Sequence, residues 1–395
     1  MENLSRNKKL AYIAITVIIL GLLGYAAYRA FLPSGETPQS SPEEQITGGG
    51  QVRTPGSGTG GTQGGQGGGE IQPPIITPEG RVLTQLTNFP VIAPAVNKEE
   101  NRVLFYKKDG GDLFSIDFAG QNQEKVSNIT VLGLFEAVWS RDKDRAAVFY
   151  LDGETIKGFL QIGSSTASLP QGIKSFVWSP DGKSIVYAVE RSEKTDIILA
   201  DANGRNPKIT YTTPLRDAKL SWPTQDRIIL ETAPSGIAEG FLFAYTRSSG
   251  VFSRIIGPIF GLVSLWSPNG SQIASSITNN EGKNPKILIF DASGKLTFET
   301  TAATISQKCA WADEKELFCA IPQNSLSGYI LPDDYLRGEL NTSDRLMSIN
   351  LGSGDVKELL DSGGLDISDI SITKKKDYVF FINRFNGTLW SLKLE

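Results

Sequence analysis

The sequence predicts an all-β domain folded as a seven-bladed β-propeller, and a repeated tryptophan is the first of three observations that indicate it. Trp139, Trp178, Trp222, Trp266 and Trp311 lie 39, 44, 44 and 45 residues apart. Each ends a short apolar strand and is followed by a polar turn and a second apolar strand, as in FVWSPDGKSIVYAV. A period of about 40–45 residues with four short strands per unit is typical of propeller blades.

The second observation is a pair of units that keep this frame without the tryptophan. One starts at Pro94 and reads PAVNKEENRVLFYKKDGGDLFSID, and the other starts at Ile370 and reads ISITKKKDYVFFINRFNGTLWSLKL. Together with the five tryptophan units they give seven blades. Within the third unit, the strands IKSFVWS, SIVYAVE, DIILADA and KITYT are predicted to run from the channel to the rim.

The third observation concerns how the ring closes. The last unit offers only three strands, whereas GRVLTQLTN at residues 80–88 has the alternation of an outer strand and precedes the first unit. We expect residues 81–87 to complete the seventh blade, because closure removes the open sheet edges that invite aggregation. The folded domain is therefore predicted to span 80–395.

The N-terminal region is predicted to anchor the domain in a membrane. Residues 10–32 carry no charge from Leu10 to Tyr28, which is long enough for one transmembrane helix. The basic residues in 1–9 favour a cytoplasmic tail, and the propeller would then lie outside the cytoplasm. A cleaved signal peptide is the alternative, with small residues at 24–26 as its cleavage site. A pilin-like helix is disfavoured, because the processing glycine and following glutamate are missing.

Residues 33–79 are predicted to form a flexible linker. Glycine occupies 12 of the 22 positions from 48 to 69, among Thr, Gln and Ser. Such a composition cannot bury enough apolar surface to offset the entropy of ordering the chain. The linker would tether the propeller to the membrane.

Composition excludes several function classes. The net charge of −4 does not indicate the basic face that nucleic acid requires. The chain has no histidine, so Ser-His-Asp relays, Cys-His relays and histidine-ligated zinc sites cannot be built. Chemistry based on paired carboxylates, such as glycoside cleavage by two Asp or Glu residues, needs no histidine and is not excluded. We predict no catalytic residue, no cofactor and no metal ligand.

The words WSPDGKSIVY at 178–187 and TQLTN at 84–88 resemble the repeats of TolB-type, WD-repeat-like propellers, including the propeller domains of prolyl-oligopeptidase-type proteases. The resemblance covers residues 81–395. It implies a protein-binding scaffold or the regulatory domain of a peptidase, and the lack of histidine disfavours the peptidase. The membrane helix and linker stand where TolB has a separate α/β domain.

Several candidate residues follow from the blade frame. The tryptophans are expected to pack between blades, with ligand stacking as the alternative. Cys309 and Cys319 flank a turn of the sixth blade at nearly opposite positions, which suits a cross-strand disulfide, although two buried free thiols remain the alternative. Asp181 and Lys374–Lys376 are expected to be turn residues.

The largest irregularity is an insertion in the sixth unit, PQNSLSGYILPDDYLRGELNTS at 322–343. The insertion contains four side chains of types enriched at binding hot spots: Tyr329, Tyr335, Leu336 and Arg337. Residues 332–334 would cap a short helix over 335–340, and Asp333 with Asp334 is more readily a capping pair than a catalytic one. A partner-binding loop is one reading, and a lid packed over the channel is the other.

The leading functional hypothesis is a non-enzymatic interaction module or envelope scaffold, anchored by residues 10–32 and binding a protein partner in the cell envelope. The alternative is a carboxylate-based hydrolase, lyase or binding protein for envelope glycans that uses the channel. A third hypothesis, a sensor with a cytoplasmic tail, is limited by the nine residues of that tail.

Overall fold

The computed structural model of this protein describes residues 71–394. The predicted cytoplasmic tail 1–9, transmembrane helix 10–32 and nearly all of the linker 33–79 lie outside the described residues. Between residues 71 and 394, no helix has both the length and the apolar character needed to cross a membrane.

The described chain forms seven antiparallel sheets, which confirms the predicted seven-bladed propeller. Blade 1 consists of β3 (Val91–Val96), β4 (Arg102–Lys107), β5 (Leu113–Asp117) and β6 (Glu124–Lys125). Blade 2 consists of β7 (Leu134–Trp139), β8 (Arg145–Asp152), β9 (Thr155–Ile162) and β10 (Ser165–Ser168). Blade 3 consists of β11 (Ile173–Trp178), β12 (Ser184–Arg191), β13 (Lys194–Asp201) and β14 (Lys208–Thr213). The four strands of blade 3 therefore follow the order read from the sequence.

Blades 4 to 6 continue the pattern. Blade 4 consists of β15 (Lys219–Thr224), β16 (Arg227–Glu231), β17 (Glu239–Thr246) and β18 (Val251–Phe260). Blade 5 consists of β19 (Val263–Trp266), β20 (Gln272–Ile277), β21 (Lys286–Asp291) and β22 (Leu296–Glu299). Blade 6 consists of β23 (Cys309–Asp313), β24 (Glu316–Pro322), β25 (Asp344–Asn350) and β26 (Val356–Asp361). A 3-10 helix at Ser306–Lys308 precedes β23, and the short helix α1 at Asp333–Leu336 lies between β24 and β25.

Blade 7 joins the two ends of the described chain. It consists of β27 (Ile367–Ile372), β28 (Tyr378–Asn383), β29 (Thr388–Lys393) and β2 (Val82–Gln85). The antiparallel pairing of Val82 with Lys393 and of Gln85 with Trp390 confirms that the segment 81–87 closes the ring. A further strand, β1 (Ile75–Ile76), pairs with the outer edge of β2.

The core consists of seven hydrophobic clusters, one at each boundary between neighbouring blades. Between blades 4 and 5, for example, Leu242 and Ile256 pack with Ile273 and Phe290. Each blade exposes one apolar face to each neighbour, so no blade can bury its surface alone. The fully closed ring is therefore the stable unit.

The innermost strands β3, β7, β11, β15, β19, β23 and β27 run in the same direction around the channel, and this defines two faces. The connections between second and third strands, with the insertion, lie on one face, which we call the insertion side. The turns between first and second strands lie on the other face, which we call the turn side.

Candidate functional site

The insertion, residues 323–343 between β24 and β25, is fastened across the insertion side rather than extended into solvent. The Asp333 carboxylate accepts hydrogen bonds from the Ser235 hydroxyl at 3.1 Å and from the Gly236 amide at 2.7 Å, both on the β16–β17 loop of blade 4. The Leu331 amide donates to the Gly282 carbonyl of blade 5 at 2.8 Å. The insertion therefore reaches from its own blade to two preceding ones.

At its other end the insertion is held by Arg384 of blade 7. The Arg384 guanidinium lies 4.1 Å from the centre of the Tyr335 ring and donates to the Leu340 carbonyl at 2.8 Å and to the Tyr335 carbonyl. Tyr335 is 5% exposed and packs with Ile305, Leu331 and Leu340 in a small core of its own. This geometry favours the lid reading of the insertion.

The helix α1 differs from the prediction of a helix over 335–340 because its two acids serve other partners. It begins at Asp333 and ends at Leu336, with Pro332 before it and no side-chain cap. Asp333 is bound to blade 4, whereas Asp334 accepts a hydrogen bond from the Ile330 amide at 2.7 Å and pairs with Arg337. Both carboxylates are thus engaged in holding the loop.

The structure divides the four predicted contact residues of the insertion. Leu336 and Arg337 are exposed, at 50% for the whole Leu336 residue and 54% for the Arg337 side chain. Tyr335 is buried, and Tyr329 is half-buried with its carbonyl accepting a hydrogen bond from Lys283. A partner approaching this face would therefore meet Leu336 and Arg337 but not the Tyr335 ring.

A buried lysine beneath the insertion links blades 6 and 7. The Lys308 ammonium is 1% exposed and lies 2.7 Å from carboxylate oxygens of both Asp344 and Asp366, which are themselves fully buried. It also donates to the Ile367 carbonyl at 2.9 Å. Burial raises the pKa of Asp344, although the adjacent Lys308 opposes the shift. Because removing one partner would leave an uncompensated buried charge, this cluster is a structural cross-link.

One position of the repeat places charged residues on, or just before, four of the inner strands. Three positions before the five repeated tryptophans stand Glu136, Ser175, Lys219, Val263 and Lys308. In blade 7, where Ile372 takes the place of tryptophan, the same position holds Asp369. The repeat that stabilises the fold therefore also positions Glu136, Lys219 and Asp369 on three inner strands.

The insertion-side mouth of the channel is a cavity of about 390 Å³ whose lining includes Phe135, Tyr335, Asp369 and Arg384. Asp369 is accessible to solvent, but protein surrounds it on most sides, and burial raises the pKa of its carboxyl. Glu136, adjacent to Phe135, has its pKa raised for the same reason, against the opposing charge of Lys219. This mouth can therefore hold protonated carboxyl groups at a higher pH than open water allows.

The turn-side mouth is a second cavity, of about 430 Å³, lined by apolar inner-strand residues and by the charged turns of blades 1, 2 and 7. A neighbouring cavity of about 450 Å³, which we call the turn-side groove, shares Arg141 and Pro268 with it and is bordered by Trp139, Trp178 and Trp222. The two ends of the channel thus differ, since the insertion covers one and short turns surround the other.

The repeated tryptophans lie between blades, and three of them bond to the preceding inner strand. Their indole nitrogens donate to backbone carbonyls: Trp139 to Ala93 at 2.8 Å, Trp178 to Val138 at 2.8 Å, and Trp311 to Leu265 at 3.0 Å. The indole nitrogens of Trp222 and Trp266 are buried and make no hydrogen bond within residues 71–394. The tryptophans therefore serve as inter-blade contacts, and three of them also border the turn-side groove.

The two cysteines are directly opposite each other on β23 and β24, and the structure joins them by a disulfide. Cys309 is 7% exposed and Cys319 is fully buried, both within the core between blades 5 and 6. The bond therefore ties the innermost strand of blade 6 to its neighbour near the channel.

The predicted turn residues lie in turns. Asp181 accepts hydrogen bonds from the Ser179 hydroxyl at 2.6 Å and the Lys183 amide at 3.1 Å, which lower its pKa to about 2. Lys374 pairs with Glu100 of blade 1 at 3.5 Å, whereas Lys375 is exposed.

Sequence reasoning missed Glu136, Lys219, Lys308, Asp369 and Arg384. A signal for the first four was present, because charged residues recur three positions before the repeated tryptophan or its blade-7 replacement, Ile372. No comparable signal marks Arg384, whose role depends on a loop 49 residues earlier in the chain. The described residues hold no cluster of three or more acidic, cysteine or histidine side chains arranged for a metal ion.

No protein-family model matches the chain, and no curated protein matches it. Solved structures do. Oligogalacturonate lyase from Vibrio parahaemolyticus matches with a TM-score of 0.59 and 12% identity, over 82% of this chain and 96% of that one. The propeller domain of the trilobed protease from Pyrococcus furiosus matches with a TM-score of 0.53 and 12% identity, over 76% and 94%.

A putative TolB from Agrobacterium tumefaciens also matches, with 18% identity over 54% of this chain and 82% of that chain, at a TM-score of 0.41 that is too low to carry an argument. The resemblance read from the sequence is confirmed at the level of the fold, since the neighbours include the propeller domain of a peptidase. At these identities the likeness shows the fold alone.

Proposed function

We propose that this chain is a non-enzymatic binding propeller that docks a protein partner on its insertion side and is tethered to a membrane by residues 10–32. The observation that carries the docking proposal is a set of exposed apolar side chains on loops and at a strand end of this one face: Leu132 at 73%, Leu151 at 49%, Ile237 at 61%, Leu336 at 50% and Phe385 at 74% exposure. Exposed apolar patches mark interaction sites on soluble domains.

The fastening of the insertion supports this proposal. Because Asp333 is bound to blade 4 and Arg384 holds Tyr335 on blade 7, Leu336 is presented from a fixed position. A partner binding to this face would lose little free energy in ordering the loop. The acids of the insertion are engaged in internal contacts, so a partner would meet Leu336 beside ion-paired rather than unpaired carboxylates.

Site-specific photo-crosslinking in native membranes tests the proposal. A probe at Phe385 or at Leu336 should give the same discrete protein adduct, whereas a probe at Lys375 on the turn side should give none. Equal labelling from all three positions, or none from Phe385 and Leu336, would contradict it.

A second step tests whether the loops act as one surface. Ile237→Asp should weaken the adduct formed from the Phe385 probe, since it places a charge on the same face without contacting the probe. The matched change Val251→Asp, at an exposed position on an outer strand, should leave the adduct unchanged. An adduct insensitive to Ile237→Asp would indicate a contact that does not involve the common face.

The glycan hypothesis keeps one supporting observation, the two channel carboxyls Glu136 and Asp369 with raised pKa. One carboxyl that stays protonated is what acid-assisted cleavage or elimination of a sugar chain requires. Wild type and Glu136→Gln/Asp369→Asn should be compared on acidic and neutral envelope polysaccharides, by reducing ends and by the ultraviolet absorbance of unsaturated products. Turnover that the double variant abolishes would replace the non-enzymatic proposal.

A further inference from the structure

The turn-side mouth contains a lysine whose backbone is strained and whose charge has no partner among the described residues. Lys143 stands at the fourth position of the turn between β7 and β8 with φ of +59°. The equivalent residues of blades 3 and 5 are Gly182 and Gly270, which adopt this left-handed conformation without penalty. A non-glycine residue costs of order 1 kcal/mol there, and Glu100 and Lys376 adopt the same conformation at the equivalent positions of blades 1 and 7.

Blades 1 and 7 show what a charged side chain at this position does when its role is structural. In blade 7, Lys376 pairs with Asp313 at 2.5 Å and Glu316 at 2.7 Å, both in the preceding blade. In blade 1, Glu100 accepts a hydrogen bond from the Lys374 amide of blade 7 at 2.8 Å. Each side chain thus holds two blades together.

Lys143 does not follow this pattern. Its ammonium makes no ion pair or hydrogen bond with any residue from 71 to 394, and burial lowers its pKa. The acids that line the same cavity are engaged elsewhere, since Glu100 pairs with Lys374 and Asp142 with Lys98 at 3.6 Å. A partly buried cation without a counterion is costly unless a ligand supplies the charge.

The walls of the cavity indicate the rest of the ligand. Apart from the turn residues of blades 1, 2, 5 and 7, the 430 Å³ cavity is lined by the apolar Val96, Ala310, Trp311, Ile370 and Ile372 and by the polar Ser371. A cavity of this size that combines apolar walls with charged groups is suited to a small ligand. Arg141 lies between this cavity and the turn-side groove, and one of its guanidinium nitrogens donates a hydrogen bond to the Pro180 carbonyl at 3.3 Å. The other N–H groups of the guanidinium remain able to donate to a ligand.

The geometry points to a binding site for a carboxylate carried on an apolar body, with Lys143 as the cation that receives the carboxylate at the turn-side mouth. The shared chemistry fits a free organic acid or the C-terminal residue of a peptide. The site lies at the opposite end of the channel from the proposed docking face, so the two proposals stand or fall separately.

Isothermal titration of the full chain in detergent tests the site with N-acetylphenylalanine as the probe and its C-terminal amide as the uncharged match. The acid should bind saturably and the amide at least tenfold more weakly. Binding of 3-phenylpropanoate as tight as that of the acid would identify a free organic acid as the class recognised. Preference for N-acetylphenylalanine would identify a peptide terminus.

Variants assign the interaction to Lys143. Lys143→Met should weaken binding of the acid at least tenfold, whereas Lys375→Met, at an exposed lysine on the same side, should not change it. Lys143→Gly should abolish binding and at the same time raise the urea midpoint of unfolding, because glycine relieves the left-handed strain. Equal binding of acid and amide, or binding that survives Lys143→Met, would overturn the inference.

Discussion

The charged side chains at the two mouths of the channel differ in burial and in whether they have partners. On the insertion side, Lys308 is fully buried but shared between Asp344 and Asp366, and Arg384 stacks on Tyr335. On the turn side, Lys143 is only partly buried and has no partner within residues 71–394. Charged side chains therefore cross-link blades on both sides, at Lys308 beneath the insertion and at Lys376 in the turns, whereas Lys143 keeps an available charge at the turn-side mouth.

The largest expected effect is the loss of cohesion at Lys308. Lys308→Met should lower the free energy of unfolding by about 3–5 kcal/mol, because Asp344 would remain buried without its counterion and Asp366 would keep only the Arg384 guanidinium, 3.8 Å away. Urea unfolding of the purified chain, followed by tryptophan fluorescence, measures this. Lys374→Met, which removes an exposed ion pair on the turn side, should change stability by less than about 0.5 kcal/mol. Similar losses in both variants would remove the proposed contrast.

A smaller and more local effect is expected from releasing the insertion at blade 7. Arg384→Met removes the ring contact with Tyr335, the hydrogen bonds to the carbonyls of Tyr335 and Leu340, and the 3.8 Å ion pair with Asp366. Loss of about 1.5 kcal/mol of anchoring should raise the open population of the loop about tenfold. Tryptic cleavage after the exposed Arg337, quantified by mass spectrometry, should accelerate accordingly. Unchanged cleavage, or the same acceleration in Lys375→Met, would show that Arg384 does not hold the insertion.

The two faces should also respond to pH with opposite sign. Burial raises the pKa of Glu231, at the insertion-side end of β16, above its ordinary value of 4.5. The folded state therefore binds this proton more tightly than the unfolded chain, and the contribution to stability falls as pH rises from about 4.5. Glu231→Gln should gain urea stability relative to wild type over that rise.

Asp181 on the turn side should behave in reverse. Its pKa is lowered from 3.8 to about 2, so its contribution is present above pH 3.8 and is lost as pH falls toward 2. Asp181→Asn should therefore be less stable than wild type at neutral pH and indistinguishable from it below about pH 2. Parallel slopes for the Glu231 and Asp181 variants would contradict the electrostatic difference between the faces.

The smallest effect separates two tryptophans that border the turn-side groove. Trp178 and Trp222 are both 7% exposed and each contacts an arginine, but only the Trp178 nitrogen has a hydrogen-bond partner, the Val138 carbonyl. Trp178→Phe should cost about 1 kcal/mol more than Trp222→Phe in urea unfolding. Equal costs would mean that packing alone fixes the tryptophan column.

The fold could be predicted because the same pattern of an apolar strand, a polar turn and a second apolar strand recurs in all seven units. Trp178 and its four counterparts mark the inner strands, and the alternation in 81–87 identifies the closing strand. The charges at Glu136, Lys219 and Asp369 were readable in that frame, since each stands three positions before the repeated tryptophan or, in blade 7, before Ile372. What alternation alone does not reveal is whether such a charge faces a cavity or a partner.

The course of the insertion could not be predicted, because its contacts depend on the closed ring. Asp333 binds Gly236, 97 residues earlier in the chain, and Tyr335 meets Arg384, 49 residues later. A local reading of Pro332-Asp333-Asp334 assigns these acids to helix capping, which is the commoner use of the pattern. In the structure Asp333 instead accepts hydrogen bonds from Ser235 and Gly236 of blade 4. The helix begins at Asp333 and ends at Leu336, so it starts earlier and is shorter than predicted.

The closing strand also determines how the domain would respond to mechanical tension. A pull on the chain N-terminal to Ile71 is borne first by the two residue pairs of β1 with β2 and next by the four pairs of β2 with β29. Peeling these strands one pair at a time would uncover the edge of blade 7 while blades 1 to 6 still kept their hydrogen-bonded sheets. The ring therefore has one defined place to yield under such a pull, and it is the closing strand of blade 7.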